Sequence, residues 1–220
     1  MADARWTEVD RYLQAALVPA DPVLQQAVAD SRRAGLPPIE VTALQGKFLS
    51  VLVRLLQARR ILEIGTLGGY STIWMARSLP PDGQLVSLEL NPDHAAVAGA
   101  NLRRAGLADR VDLRVGPAAD SLRQLADGAN TPFDLVFIDA DKPGTESYLD
   151  RILALCRAGS AIVVDNVVRN GALVDQHPDA DAEGMQRAVR WLGREPRVEA
   201  TVLQTVGAKG YDGFALGLVI

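Results

Sequence analysis

RVEATVLQTVGAKGYDGFALGLVI, Arg197 to Ile220, is the stretch that decides the fold. Two runs of strand-forming residues, RVEATVLQTV and DGFALGLVI, are joined by GAKGY, and no helical segment separates them. Such a pair closes as an antiparallel hairpin, because a short link cannot carry the chain across to a parallel neighbour. Upstream the rhythm differs. From Arg60 onward RILEIG, QLVSLEL, RVDLRVG, FDLVFID and SAIVVD read as strands, with helical stretches such as YSTIWMARSL between them. Several of these strands are continuous apolar runs, as expected where helices cover both faces of a sheet. The chain therefore reads as α/β: a doubly wound, Rossmann-like, mostly parallel seven-stranded sheet with a C-terminal antiparallel hairpin. A nicotinamide-dependent dehydrogenase on a similar sheet is the alternative at fold level. The hairpin is not its common arrangement.

The 220 residues fit one domain, with residues 1–57 as N-terminal helices that contribute to the acceptor site and residues 58–220 as the cofactor-binding core. Residues 7 to 33 read as one or two amphipathic helices interrupted near VPADP, and GLPP (Gly35 to Pro38) breaks the pattern. Thr42 and Gln45 stand as in a capping box before a helix with Leu44, Phe48, Leu52 and Leu55 on one face. Asn91 and Pro92 cap and open the helix that ends near Gly106. A net charge of -4 gives no reason to expect nucleic acid or an anionic membrane as partner. No apolar run approaches the roughly 18 residues of a membrane span, and MADARWTEVD has neither the basic end nor the apolar core of a signal peptide. A cytoplasmic location is expected. The single cysteine, Cys156, sits in the helical pattern YLDRILALC and reads as core filler. His94 and His177 read as solvated surface, so no Cys/His cluster suits zinc.

In open α/β sheets ligands bind beyond the carboxyl ends of the strands. The first such loop is EIGTLGGYS, Glu63 to Ser71. Gly65 is followed by Thr66, Leu67, Gly68 and Gly69, so the second glycine of a dinucleotide fingerprint is missing. The acid Glu63 suits an ammonium group better than a pyrophosphate. Glu89 closes the second strand, where an acid accepts hydrogen bonds from ribose hydroxyls. Together these features suggest a nucleoside bearing an amino acid, the form of S-adenosylmethionine.

With LEIGTLGGYS, LELNPDHA, VGPA, FIDADK and VVDN in this order, the chain resembles the cation-dependent O-methyltransferases, the family of caffeoyl-CoA and catechol O-methyltransferases and their bacterial relatives. The resemblance covers nearly the whole chain, strongest from VTALQGKFL onward. It implies a methyltransferase sheet in which the hairpin inserts one antiparallel strand, and a homodimer. It also implies that Glu63, Gly65, Thr66 and Ser71 hold the methionine part of the cofactor, with Val41 as a further contact. Glu89 would bind the ribose, Ala118 would border the adenine, and Asp139 and Asp141 would also contact the cofactor. Asp139, Asp165 and Asn166 would bind the metal, Lys142 would be the base, and Asp139 and Asn170 would meet the substrate. Arg169 departs from the bulky, often aromatic residue that the family places before that asparagine.

The residue types suit this chemistry. FDLVFID and SAIVVDN are plausible neighbouring strands, so Asp139 and the Asp165–Asn166 pair would emerge at one sheet edge. Two carboxylates and an amide oxygen form a hard ligand set for Mg²⁺, with Mn²⁺ or Ca²⁺ as alternatives. A dication there would hold both oxygens of a small phenolic acceptor with vicinal hydroxyls, such as a catechol. Lys142 would take the phenolic proton. The expected activity is therefore divalent-metal-dependent methyl transfer to a catechol-like hydroxyl. A non-catalytic S-adenosylmethionine-binding protein is a further alternative. Gly171 to Gly184 reads as a long irregular loop that, with Leu36–Ile39 and Tyr211 of the hairpin loop, shapes the acceptor pocket. Trp74, Trp191 and Phe214 read as core.

Overall fold

The computed structural model describes residues 2–128 and 131–220. Its seven strands make a mixed sheet, and the chain divides into two compact units, one spanning Leu13–Ser121 and the other Leu122–Ile220 with the first residues up to Tyr12.

In the first unit the strands β1 (Arg60–Ile64), β2 (Gln84–Glu89) and β3 (Val111–Val115) pair in parallel in the order β3-β2-β1. Strands β1 and β2 are buried along nearly their whole length, which is why their sequences are apolar without alternation. Helix α1 (Ala2–Leu17) is followed by α2 (Pro22–Arg33), which starts on Asp21, whose Oδ1 accepts the amides of Val23 and Leu24. Helix α3 (Ala43–Leu55) starts on Thr42, whose hydroxyl accepts the Gln45 amide, as the 42–45 spacing predicts. Helix α4 (Tyr70–Ala76) packs on α3 at Gly46, where a Cβ would fall 2.4 Å from the Trp74 indole. Trp74 is half-buried there, packed against α3 without being wholly enclosed in the core. Helix α5 (Pro92–Arg104) opens on Asn91 and Pro92, and α6 (Ala118–Asp127) follows β3.

In the second unit β4 (Phe133–Ile138) and β5 (Cys156–Val164) are parallel, and β7 (Gly210–Val219) lies antiparallel between β5 and β6 (Val198–Gly207). The hairpin legible in the sequence is thus present, with β7 rather than β6 pairing with β5. The register explains the choice: alternate β7 residues Gly213, Ala215, Gly217 and Val219 are buried, whereas β6 is mostly exposed. Strand β6 becomes the edge. Helix α7 (Thr145–Ile152) packs against α8 (Ala180–Arg194), and the buried Trp191 donates its indole N–H to Asp150 at 2.5 Å. At the hairpin tip the Ala208 amide donates to Asp10 of α1.

Several sequence expectations need correction here. Cys156 is not helical: α7 ends at Ile152, a 3-10 turn covers Leu153–Leu155, and Cys156 opens β5, half-buried. The apolar spacing of YLDRILAL extended the helical pattern one turn too far. Gly171 to Gly184 is not an open loop. A 3-10 segment covers Arg169–Val174, and Asp179 starts α8 by accepting the Ala182 amide at 2.7 Å, helped by Asp181 and Glu183 in the first turn. Tyr211 lies within β7, opposite Val206, with its hydroxyl on Gln204. Phe214 is half-buried in β7, and Leu36 belongs to the core while Ile39 is exposed.

Candidate active site

Two clusters of polar side chains collect at carboxyl ends of strands, one in each unit. In the unit Leu13–Ser121 the first is centred on Glu63, the fourth residue of β1. Its carboxylate is fully buried and accepts three hydroxyls: Ser71 on Oε1 at 2.6 Å, and Thr72 and Ser87 on Oε2 at 2.5 and 2.6 Å. The Ser87 and Thr66 hydroxyls are themselves 2.6 Å apart. An acid removed from water needs such partners to remain an acceptable part of the core. In this arrangement Glu63 stands behind the loop and orders the hydroxyls of Thr66 and Ser71 that the sequence singled out. Thr72 and Ser87, which the sequence had not suggested, complete the network.

Glu89, at the end of β2, holds the loop from the other side. Its Oε2 accepts the Thr66 and Leu67 amides at 3.1 and 2.8 Å, and its Oε1 accepts the Asn91 amide at 2.9 Å. His94 Nδ1 lies 3.6 Å from Oε1, so this histidine is half-buried against Glu89 rather than free on the surface, while His177 is exposed as expected. The loop turns at Gly65 with φ 99°, at Leu67 with φ 51° and at Gly69 with φ 81°, where L side chains are disfavoured. At Gly68 a Cβ would fall 2.0 Å from the Ser31 hydroxyl, so the backbone there lies tight against α2. Val41 is buried just before α3, and Ala118 is half-buried at the first position of α6.

The second cluster lies at the ends of β4 and β5. Ile138 pairs with Val164, and the Asp165 amide donates to the Ile138 carbonyl at 2.9 Å, so Asp139 and Asp165 leave adjacent strand ends. Asp165 is buried and its Oδ1 accepts the Asn166 amide at 2.8 Å. Asn166 has φ 54° and donates its Nδ2 to Asp212 at 3.2 Å. Lys142 is only 8% exposed, and its ammonium lies 3.0 Å from Asp139 Oδ1. Asp141 is exposed and turned to its own segment, accepting the Gly144 amide at 2.9 Å and the Tyr148 hydroxyl at 2.5 Å. Burial, and the bond to that carboxylate, push the Tyr148 phenol well above its ordinary value. Asn170 is exposed, with φ 54°, in the 3-10 segment. Arg169 donates to Asp181 of α8 at 2.8 Å.

Among the described residues no group of three or more His, Cys, Asp or Glu gathers at one point. A cation at this cluster would therefore take the amide oxygen of Asn166 beside the carboxylates of Asp139 and Asp165. The Asn166 side chain gives its N–H to Asp212, which leaves its oxygen as an acceptor. This all-oxygen set fits a hard dication.

The family model for O-methyltransferases matches residues 15–217. The chain belongs to the O-methyltransferase family. A catechol O-methyltransferase of Mycobacterium tuberculosis is 54% identical over 212 residues, covering 96% of this chain and 95% of that protein. An O-methyltransferase of Bacillus cereus, solved in complex with SAH, superposes with a TM-score of 0.96 at 47% identity and covers 99% of each chain. TomG of Streptomyces achromogenes, an O-methyltransferase involved in tomaymycin synthesis and solved with SAM, gives a TM-score of 0.96 at 49% identity, covering 100% of this chain and 99% of that one. Membership and fold together make this chain an S-adenosylmethionine-dependent O-methyltransferase, and they set aside both the dehydrogenase and the non-catalytic alternatives.

Proposed function

We propose that this O-methyltransferase acts on small phenols with vicinal hydroxyls and requires a divalent cation, Mg²⁺ before Mn²⁺ or Ca²⁺. The observation that carries the proposal is the second cluster: two carboxylates on adjacent strand ends, an amide oxygen beside them, and a buried lysine 3.0 Å from one of the carboxylates. A transferase for an already acidic or single hydroxyl has no need of such a donor set. The name of the Mycobacterium tuberculosis relative points the same way.

In this proposal Glu89 and the loop Gly65–Ser71 hold the cofactor, with Val41, Ala118 and Asp141 as further contacts. The buried Glu63 fixes the hydroxyl of Ser71 directly and that of Thr66 through Ser87, and so shapes the part of the loop that would hold the methionine end. Glu89 has three backbone amides to satisfy, so it orders the loop and meets the ribose with the capacity that remains. A dication bound by Asp139, Asp165 and Asn166 supplies Lewis acidity toward the acceptor's oxygens. Lys142, in its neutral amine form, would receive the proton of the attacking hydroxyl; its burial against Asp139 holds the group in one place at the strand end. The sulfonium methyl needs little further activation, so alignment supplies much of the rate. Asn170 and Asp139 border the acceptor. We also propose a cytoplasmic homodimer; among the described residues no helix is long and apolar enough to cross a membrane, and Tyr12 and Leu17 of α1 are left exposed as candidate contact residues.

Chelation tests the central claim. EDTA should abolish methylation of a vicinal diol, and Mg²⁺ or Mn²⁺ should restore it. Asp165→Ala should stay inactive at any Mg²⁺ concentration while still binding S-adenosylmethionine in calorimetry. Full turnover after exhaustive chelation would remove the cation from the mechanism.

A further inference from the structure

We infer that Asp212, on β7, is a positioning residue that sets which atom of Asn166 faces the cation; the inference rests on the cation reading above. Its carboxylate accepts four hydrogen bonds, three of them from residues 166–169. Oδ1 accepts the amides of Val168 at 3.1 Å, Arg169 at 2.8 Å and its own neighbour Gly213 at 2.8 Å, and Oδ2 accepts the Asn166 side-chain N–H at 3.2 Å. The Val167 amide also donates to the Gly213 carbonyl at 2.9 Å. The segment so held is strained: Asn166, Arg169 and Asn170 have φ of 54°, 52° and 54°, an unusual density of left-handed residues that are not glycine. Each costs on the order of 1 kcal/mol and persists only where surrounding bonds impose it.

The chemistry of the carboxylate matters as much as its position. An ionised aspartate can only accept, so it selects the NH₂ end of the Asn166 amide and turns the oxygen away. That oxygen is the atom a hard cation needs. An amide at position 212 would reverse this logic. The three backbone N–H groups need an acceptor and would keep the oxygen of the substituted side chain. Its NH₂ would then point at Asn166, recruit that residue's oxygen, and turn the Asn166 NH₂ toward the cation.

The test is an exchange of the pair, read as Mn²⁺ binding by electron paramagnetic resonance on the full chain. Asp212→Asn, nearly isosteric, should weaken Mn²⁺ at least about tenfold, in the range seen when a group behind a metal ligand is changed. Combining Asp212→Asn with Asn166→Asp should recover it to within about threefold, since one carboxylate oxygen now accepts from position 212, the other faces the cation, and the charge count is that of the wild type. S-adenosylmethionine affinity should stay unchanged in both. A purely structural Asp212 would leave Mn²⁺ binding intact in the single variant, because the loop's backbone bonds survive, and that result overturns the inference. So does a folded double variant that fails to recover. Should the single variant unfold, the double variant alone decides, and failure of both to fold would make Asp212 a requirement of the fold instead. Wild-type protein that binds no Mn²⁺ would remove the cation reading itself, a result distinct from the others.

Discussion

Gly184 sits in the interior of α8, where glycine is ordinarily a cost of roughly 1 kcal/mol relative to alanine. Its reason for being there is the backbone that crosses it. A Cβ at 184 would fall 2.3 Å from the Lys142 carbonyl oxygen, 2.6 Å from its carbon and 2.8 Å from Pro143 Cα. Ordinary contact begins near 3.4 Å, so the shortfall is 3.4 − 2.3 = 1.1 Å, and the atoms in the way are main chain that cannot rotate aside. Gly184→Ala must therefore push the 142–143 backbone away from α8. A displacement of about 1 Å in a reacting group can cost on the order of 10²-fold in rate. Two effects on stability oppose each other: overpacking costs about 1–3 kcal/mol, and the gain in helix propensity offsets roughly 1 kcal/mol of it. The net expectation is a Tm lowered by a few degrees, about 2–4 °C per kcal/mol for a chain of this size. Gly193→Ala in the same helix is the control, since nothing lies within 4 Å of its Cβ. It should raise stability by about 0.5–1 kcal/mol and leave kcat unchanged. The assay is kcat on a vicinal diol, with cofactor affinity by calorimetry and Tm by circular dichroism. If Gly184→Ala behaves like Gly193→Ala, with wild-type kcat and a raised Tm, the close approach does not position Lys142.

Lys142→Met should lower kcat by roughly 10²-fold or more while cofactor affinity stays near wild type. The loss should shrink for an acceptor already ionised at the assay pH; equal losses for neutral and acidic phenols would exclude Lys142 as the base. Glu89→Ala strips the acceptor from the Thr66, Leu67 and Asn91 amides, so S-adenosylmethionine binding should weaken by about 1–3 kcal/mol with Mn²⁺ affinity unchanged; unaltered cofactor affinity in calorimetry would refute its role. Burial at the start of β5 pushes the Cys156 thiol from 9.0 up to about 12, against the opposing Ser160 hydrogen bond. Native protein should thus react slowly with a disulfide reagent at pH 8. The neutral thiol is favoured by folding, so this group's contribution is fully present below pH 9 and is lost as pH rises toward 12. In urea unfolding, the stability difference between wild type and Cys156→Ala should stay constant below pH 9 and change over that window.

The sheet and its ending are legible in the amino-acid order because both are written in local patterns. Continuous apolar runs mark the buried strands β1, β2, β4 and β5, and RVEATVLQTV and DGFALGLVI lack any helix between them. The caps at Thr42 and Asn91 are legible for the same reason, since a capping side chain bonds within three residues of itself. Strand ends could also be named, and so Asp139, Lys142 and Asp165 could be placed together. Roles set by partners remote along the chain emerge only in three dimensions. The buried network that Ser87, from the next strand, closes around Glu63 is one such case. The Thr66 and Leu67 amides that Glu89 accepts are another. Gly184 reads as the end of a loop until Lys142 crosses it. Asp212 gives no local signal, because its partner Asn166 lies 46 residues away and meets it only once β7 has inserted beside β5. Periodicity reports which face a residue presents to its own element; hydrogen bonds between distant segments exist only after the sheet has brought those segments together.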